Sequence, residues 1–161
     1  MAITTAFCTS LKSELFSGLH DFGNAGASPI GGDVFKLALI AAGAAGTYGA
    51  ASTNFSELND SSPIEEAIET GGASPAGYVT GGGTLTNAGK VVSGTTAYVD
   101  FADLTFTAVT ISADGCMIYN TTNGNAACSV HDFSGTKTAS GGNFVIQFPA
   151  AAAGTAILRL A

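Results

Sequence analysis

From Gly77 to the end of the chain, short runs of β-branched, aromatic and aliphatic residues alternate with turn residues every few positions. This spacing leaves few folds open. Strands are expected over residues 78–80, 83–86, 90–92, 97–101, 104–106, 109–113, 116–120, 126–133, 143–148 and 156–160. Tyr78, Thr80, Thr84, Tyr98, Val99 and Phe101 are residue types that fit a half-buried pleated surface. Asn123-Gly124 lies between two apolar runs and is a hairpin signal. Asp114-Gly115 and residues 135–142 read as further turns. Many short strands at this spacing argue for an antiparallel sandwich or barrel. The expected fold class is mainly β, an antiparallel β-sandwich or jelly-roll-like domain with one N-terminal α-helix.

That helix is expected over residues 4–22. Thr4 or Thr5 is placed to cap it, and Phe7, Leu11, Leu15, Leu19 and Phe22 recur at helical spacing along one face. Gly23 then supplies a stop. Such a helix either packs over an open end of the sheet or docks on a neighbour. Residues 23–33 read as a loop from their Gly, Asn and Pro content. Residues 34–41 (VFKLALIA) read as a strand with Val34 and Lys36 on one face and Phe35, Leu37 and Leu39 on the other. Residues 62–68 (SPIEEAI) read as a short capped helix, and the acidic residues of 61–69 as a solvated face. A chain of 161 residues suits a single domain. Within it, 1–22 form a helical arm, 23–76 a strand with loop-rich surroundings, and 77–161 a β-sandwich core.

Charged residues make up only 11% of the chain, less than half the roughly 25% of soluble domains. Its surface must therefore be finished with Ala, Gly, Ser and Thr, which lose little side-chain entropy when another subunit covers them. Twelve acidic against five basic residues give a net charge of −7. The basic residues Lys12, Lys36, Lys90, Lys137 and Arg159 are scattered, so direct nucleic-acid binding is not expected. No apolar run reaches the ~18 residues of a membrane-spanning helix. The start, Met1-Ala2-Ile3-Thr4-Thr5, lacks a basic signal-peptide region, so synthesis in a cytoplasm without Sec export is expected. Cys8, Cys116 and Cys128 show no metal-type spacing and read as buried thiols. A Cys116–Cys128 pairing across a hairpin is the less favoured alternative.

The residues that carry chemistry offer little to a catalyst, and neither a cofactor nor a metal is expected. His131 and Asp132 are neighbours on a predicted strand and so face opposite sides. No G-x-S-x-G nucleophile elbow is present. The TGGGT run around Gly81-Gly82-Gly83 lacks the Gly-Lys-Ser/Thr end of a phosphate loop, and a bulge or a close backbone contact accounts for it better. Asp100, Asp103 and Asp114 do not match a calcium-loop spacing, and Asp100 reads as a solvent-facing strand residue. Glu65 and Glu66 are adjacent and do not converge as a carboxylate pair would.

The opening MAITTAFCTSLKSELFSGLHDF, the strand DVFKLALI and the block GYVTGGGTLT are followed in order by AYVDFADLTF, VTISADGCMIYN, VHDFSGTKTASGGNFVIQFP and AILRLA. Together these segments resemble a group of small virion structural proteins of tailed bacteriophages. The resemblance covers both ends and most of the chain. It is weakest over residues 50–76, where SELNDSSPIEEAIETGGASPA reads as an enlarged loop. It implies a non-enzymatic protein present in many copies on the virion, namely an outer capsid decoration or cement protein. The implied partners are the major capsid protein and further copies of itself, commonly as a trimer. The expected contact face is Ile3, Phe7, Leu11 and Leu15, with the competing reading that these side chains close the domain's own core. Glu57, Leu58, Ile64 and Glu65 are the second expected contact. The alternatives are a tail-tube, tail-tip or head-spike subunit, or a glycan-binding module, which would need exposed rings such as Tyr48, Phe55 and Tyr78.

Overall fold

One long hairpin organises the chain. The computed structural model describes residues 2–23, 32–70 and 77–160. In it, strand β8 (Leu104–Asn120) turns through residues 121–125 and returns as β9 (Ala126–Ile146). The Asn123-Gly124 signal therefore marks a true hairpin, with Gly124 and Asn125 at φ of 61° and 63°. Asp114-Gly115 and residues 135–142, expected as turns, instead lie inside the two strands. Ala108, Ser134, Gly135 and Gly141 all take positive φ, and pairing slips near each of them. Between the pairs Gly115↔Asp132 and Ala113↔Lys137, two steps along β8 match five along β9. Such bulges bend a strand without ending it, so five expected strands merge into two.

Strand β3 (Phe35–Ala41) pairs with the near half of β8, from Phe35↔Asn120 to Ala41↔Ala113. The two-residue strands β5 (Gly83–Thr84) and β2 (Ala6–Phe7) complete a five-stranded antiparallel sheet in the order β2-β9-β8-β3-β5. Strand β3 was expected to show two distinct faces. It is instead a central strand, with Phe35, Leu37, Ala38, Leu39 and Ile40 all buried. Phe35 belongs to one face and stacks on Phe22, with ring centroids 4.4 Å apart. The other face carries Tyr119, the partner of Lys36, which stacks on Phe55 at 4.5 Å. Cover on both faces explains the near-continuous apolar run. It also shows that the core extends beyond residues 77–161.

A second sheet, β10-β7-β6, consists of β6 (Asn87–Ser93), β7 (Thr96–Phe101) and β10 (Leu158–Leu160), all antiparallel. It meets the first through Phe101, whose ring lies 5.8 Å from Phe35. A parallel pair of two-residue strands, β1 (Ala2–Ile3) and β4 (Thr47–Tyr48), completes the sheet structure of the described residues. The chain is thus mainly β with antiparallel sheets and a short N-terminal helix.

The helix is shorter than its periodicity predicts. α1 spans Thr9–Phe16 and is preceded by β1 and β2. Neither Thr4 nor Thr5 caps it; Cys8 occupies that position, without a side-chain cap. Gly18, at φ 66°, ends it five residues before Gly23. Gly18 N donates to Leu15 O and Leu19 N to Glu14 O, the paired bonds of a Schellman stop. A second helix, α2, spans Ser56–Asn59, and the helix expected at 62–68 is absent. Residues 78–80, expected as a strand, form a turn. Residues 24–31 of the expected 23–33 loop lie outside the described residues, as do 71–76.

Candidate functional site

The four side chains expected to anchor on a neighbour point into this fold. Ile3 lies in β1 and Phe7 in β2, while Leu11 and Leu15 lie in α1. Leu11 is fully buried at 1% exposure, while Ile3, Phe7 and Leu15 are partly buried against that core. The side chains that α1 leaves outside are Phe16, 96% exposed, and Leu19 just beyond it. The overlong helix expectation ran past Gly18 and drew attention to the inner stripe.

Polar contacts tie the end of this segment to the hairpin. Asn120, fully buried, donates from Nδ2 to His20 Nδ1 at 2.9 Å and to Asp33 Oδ2 at 2.7 Å. His20 Nδ1 is then an acceptor, so Nε2 carries the proton and donates to Glu14 Oε2 at 2.7 Å. Asn120 Oδ1 accepts from the backbone N–H of Thr122 and Asn123. The cluster resembles catalytic hardware in residue type, yet each of these contacts joins one segment of the fold to another.

The second expected contact, residues 57–69, is largely internal. Leu58 is fully buried, and Glu57 accepts from Thr53 N at 2.7 Å and Thr53 Oγ1 at 2.8 Å. Glu65 and Glu66, expected on a solvated face, are 6% and 2% exposed. They point to different partners. Glu65 accepts from Ala45 N at 2.8 Å, from Gly46 N, and from the Tyr48 hydroxyl. Glu66 Oε1 accepts from Tyr78 Oη at 2.8 Å and Gly81 N at 2.6 Å, while Oε2 is buried without a partner. Of the named residues only Ile64 is exposed, together with Ile68 further along the segment.

The two carboxylates have opposite pH signatures. The Tyr48 hydrogen bond, with help from two backbone N–H groups, holds Glu65 below the usual carboxylate range against the pull of burial. Burial pushes Glu66 up, against the bonds from Tyr78 and Gly81. Glu65 therefore stabilises the fold at neutral pH and loses that contribution as pH falls through its depressed value. Glu66 does the reverse: the folded state favours its proton, and stability drops as pH rises from ~4.3 toward the raised value. Glu66→Gln is expected to raise the melting temperature at neutral pH. The gain should vanish as pH approaches ~4.3. Thermal unfolding followed by circular dichroism across that range measures it.

The remaining reactive groups are also embedded. Burial pushes the Cys8 thiol up to about 11 and Cys116 up to about 12, and raises Cys128 further. All three are free thiols, and so high a value leaves almost no thiolate at neutral pH. The hairpin register sets Cys116 opposite His131. Cys128 lies beside Cys8 instead, whose N–H donates to its carbonyl at 2.9 Å. His131 Nε2 is 2.9 Å from Ser129 Oγ, and burial lowers the imidazole. Asp132 lies on the other side of the strand, with its carboxylate accepting from Ser134 N. Asp100 is 1% exposed, contrary to its expected place in solvent, and accepts from Phe101 N. Asp103 and Asp114 accept from Phe148 N and Gly43 N, so the three aspartates serve separate segments. Among the described residues no group of three or more His, Cys, Asp or Glu side chains is placed to hold a metal ion. Tyr48, Phe55 and Tyr78, the rings a glycan platform would present, are all buried.

What the fold leaves uncovered is the outer end of the three-stranded sheet. The registers Val92↔Ala97 and Leu160↔Ala97 set these three side chains in one row across β6, β7 and β10. Val92 is 75% and Leu160 62% exposed, and Ala97 is exposed between them. Two and four residues inward on the same side, Val99 and Phe101 are buried. The sheet therefore overhangs the core, and an apolar row lies bare at its end. Sequence reading missed it because the VV pair of β6 looks like any strand interior. No family model, curated protein or solved structure matches the chain.

Proposed function

We propose that this chain is a non-enzymatic virion structural protein, an outer capsid decoration or cement subunit that binds the major capsid lattice and stabilises it. The observation that carries this reading is the overhanging sheet end, with Val92, Ala97 and Leu160 bare in one row. Uncovered apolar rows and open strand edges are features that soluble monomers suppress and assembling subunits use. The internal employment of Glu65, Glu66, His20 and Asp114 supports the same reading. Side chains with chemical potential here hold segments together and do not face a cleft. In many copies, modest apolar contacts at ~25 cal/mol per Å² accumulate into a large stabilisation of a shell.

Purified protein mixed with undecorated phage capsids is expected to co-sediment at a fixed ratio to the capsid protein and to raise the capsid's melting temperature. Recovery of the protein in isolated tails, with no capsid binding, would refute the decoration role. One feature favours that second reading. The β8–β9 hairpin, with strands of 17 and 21 residues, is of the kind a tail-tube subunit uses to build stacked rings. The same sedimentation experiment separates the two.

A further inference from the structure

Two of the three thiols are cross-strand neighbours. Strand β2 pairs Ala6 with Val130 and Phe7 with Ser129, and the same register one step on sets Cys8 opposite Cys128. The bond from Cys8 N to Cys128 O at 2.9 Å holds that step in place. Side chains of directly opposed residues project on the same side of a sheet. Cys8 and Cys128 therefore share one side, and both are buried, at 0% and 3% exposure. Cys116 pairs with His131, in line with Ile118 and Ser129 on the other side. It has no part in the pair.

The spacing suits a covalent bond. Opposed Cα atoms in a hydrogen-bonded antiparallel pair stand about 5.5 Å apart, inside the roughly 4.4–6.8 Å that a disulfide spans. Their Cβ atoms, at about 5 Å, must close by roughly half an ångström. Cys8 can supply that movement because the ladder ends there. Its carbonyl already turns into α1 and accepts from Lys12 N at 3.4 Å. In the reduced chain the thiols are engaged elsewhere: Cys8 Sγ donates to Gly49 O at 3.8 Å and Cys128 Sγ to Ala126 O at 3.7 Å. Both are weak bonds, given up by a rotation about χ1.

We infer that Cys8 and Cys128 form a reversible disulfide under oxidising conditions, and that this bond clamps the N-terminal segment to the central hairpin. Oxidised glutathione serves as the oxidant. Cys8 loses its proton to solvent and its thiolate attacks one glutathione sulfur. The glutathione S–S bond breaks, and one glutathione leaves with the electron pair and takes up a proton. Cys128 Sγ, deprotonated in turn, attacks Cys8 Sγ and expels the second glutathione as a thiol. Two protein thiols are oxidised and one glutathione disulfide is reduced to two thiols. Cys8 goes first, since burial pushes it up to about 11 and Cys128 further. Neither sulfur is open to solvent in the closed fold, so the reaction waits on local opening of the segment. β1 and β2, of two residues each, hold it by short ladders. Once made, the bond closes a loop of about 120 residues and opposes the opening that admitted the oxidant. The inference stands apart from the decoration reading, and its test uses no capsids.

Purified chain incubated with oxidised glutathione at mildly alkaline pH, then alkylated in urea and digested for mass spectrometry, tests it. The expected product is one disulfide-linked peptide pair joining Cys8 and Cys128, with Cys116 alkylated. Oxidation should raise the urea midpoint, with a fall in the unfolding constant of roughly tenfold or more, and dithiothreitol should reverse the change. Cys116→Ser should behave as wild type, whereas Cys8→Ser and Cys128→Ser should show no shift on oxidation. A linkage through Cys116 overturns the inference. So do thiols that stay free, or stop at glutathione adducts, under conditions that oxidise the urea-unfolded chain. A Cys8–Cys128 bond that leaves the midpoint unchanged sinks the clamp.

Discussion

Gly82→Ala is expected to destabilise the protein by about 2–5 kcal/mol, the sum of a left-handed backbone penalty and an overpacking penalty. Gly82 sits at φ 67°, where a side chain is disfavoured whatever its surroundings. A Cβ there would also overlap the Leu37 carbonyl and come within 2.8 Å of Ala38 Cα. Both atoms belong to the backbone of the central strand β3, which has no rotamer with which to move aside. Neighbouring bonds fix the segment further: Tyr119 Oη donates to Gly81 O at 2.6 Å, and Gly81 N donates to Glu66. Gly124→Ala is the matched control. Its φ is 61° but nothing lies within 4 Å of the added methyl, so about 1–2 kcal/mol is expected from conformation alone. Urea unfolding of the pair measures the difference. Equal losses would mean that the 81–83 segment does not lie against β3 in solution.

This close approach was legible from the TGGGT run, because three consecutive glycines in a strand-rich sequence have few uses besides bulges and backbone contact. The hairpin at 121–125 was legible for a similar reason, since Asn-Gly between apolar runs has one common outcome. The length of β8 and β9 was not. A bulge uses the same residues as a turn, and Ala108 and Ser134 at positive φ carry no sequence mark at all. At the N-terminus the helical period was real only from Leu11 to Leu15. Residues 2–3 and 6–7 nonetheless pair as strands, because β4 and β9 offer them partners that are distant in sequence.

The buried acids were the least legible feature. Charge in a loop ordinarily means solvent, and Glu65 and Glu66 escape that rule only through donors elsewhere: Gly46 and Tyr48 for one, Tyr78 and Gly81 for the other. Those donors are brought near by tertiary structure and leave no local pattern. Of Glu57, Leu58, Ile64 and Glu65, expected as a contact, Leu58 and Glu65 are therefore buried and Glu57 is half-buried. Ile64 and Ile68 keep part of that surface available, and they do so as apolar side chains.

The N-terminal segment poses a sharper alternative. Leu11→Ala is expected to cost the isolated protein about 2–5 kcal/mol, the range for deleting a large aliphatic side chain from a packed core. Leu11 is 1% exposed and lies with Phe7, Phe22, Phe101 and Ile118 around one small apolar cavity, which the substitution would enlarge. Phe16→Ser, at the end of the same helix but 96% exposed, is expected to change stability by no more than about 0.5 kcal/mol. Chemical denaturation of the two variants, read beside capsid co-sedimentation, assigns the segment its role. A large loss of stability for Leu11→Ala makes the inner stripe part of the core, and any capsid contact by α1 must then run through Phe16 and Leu19. A Leu11→Ala protein as stable as wild type but unable to bind capsids would reverse this. The stripe would then detach from its own sheet on assembly, and the packing of α1 against β9 would describe only the free chain.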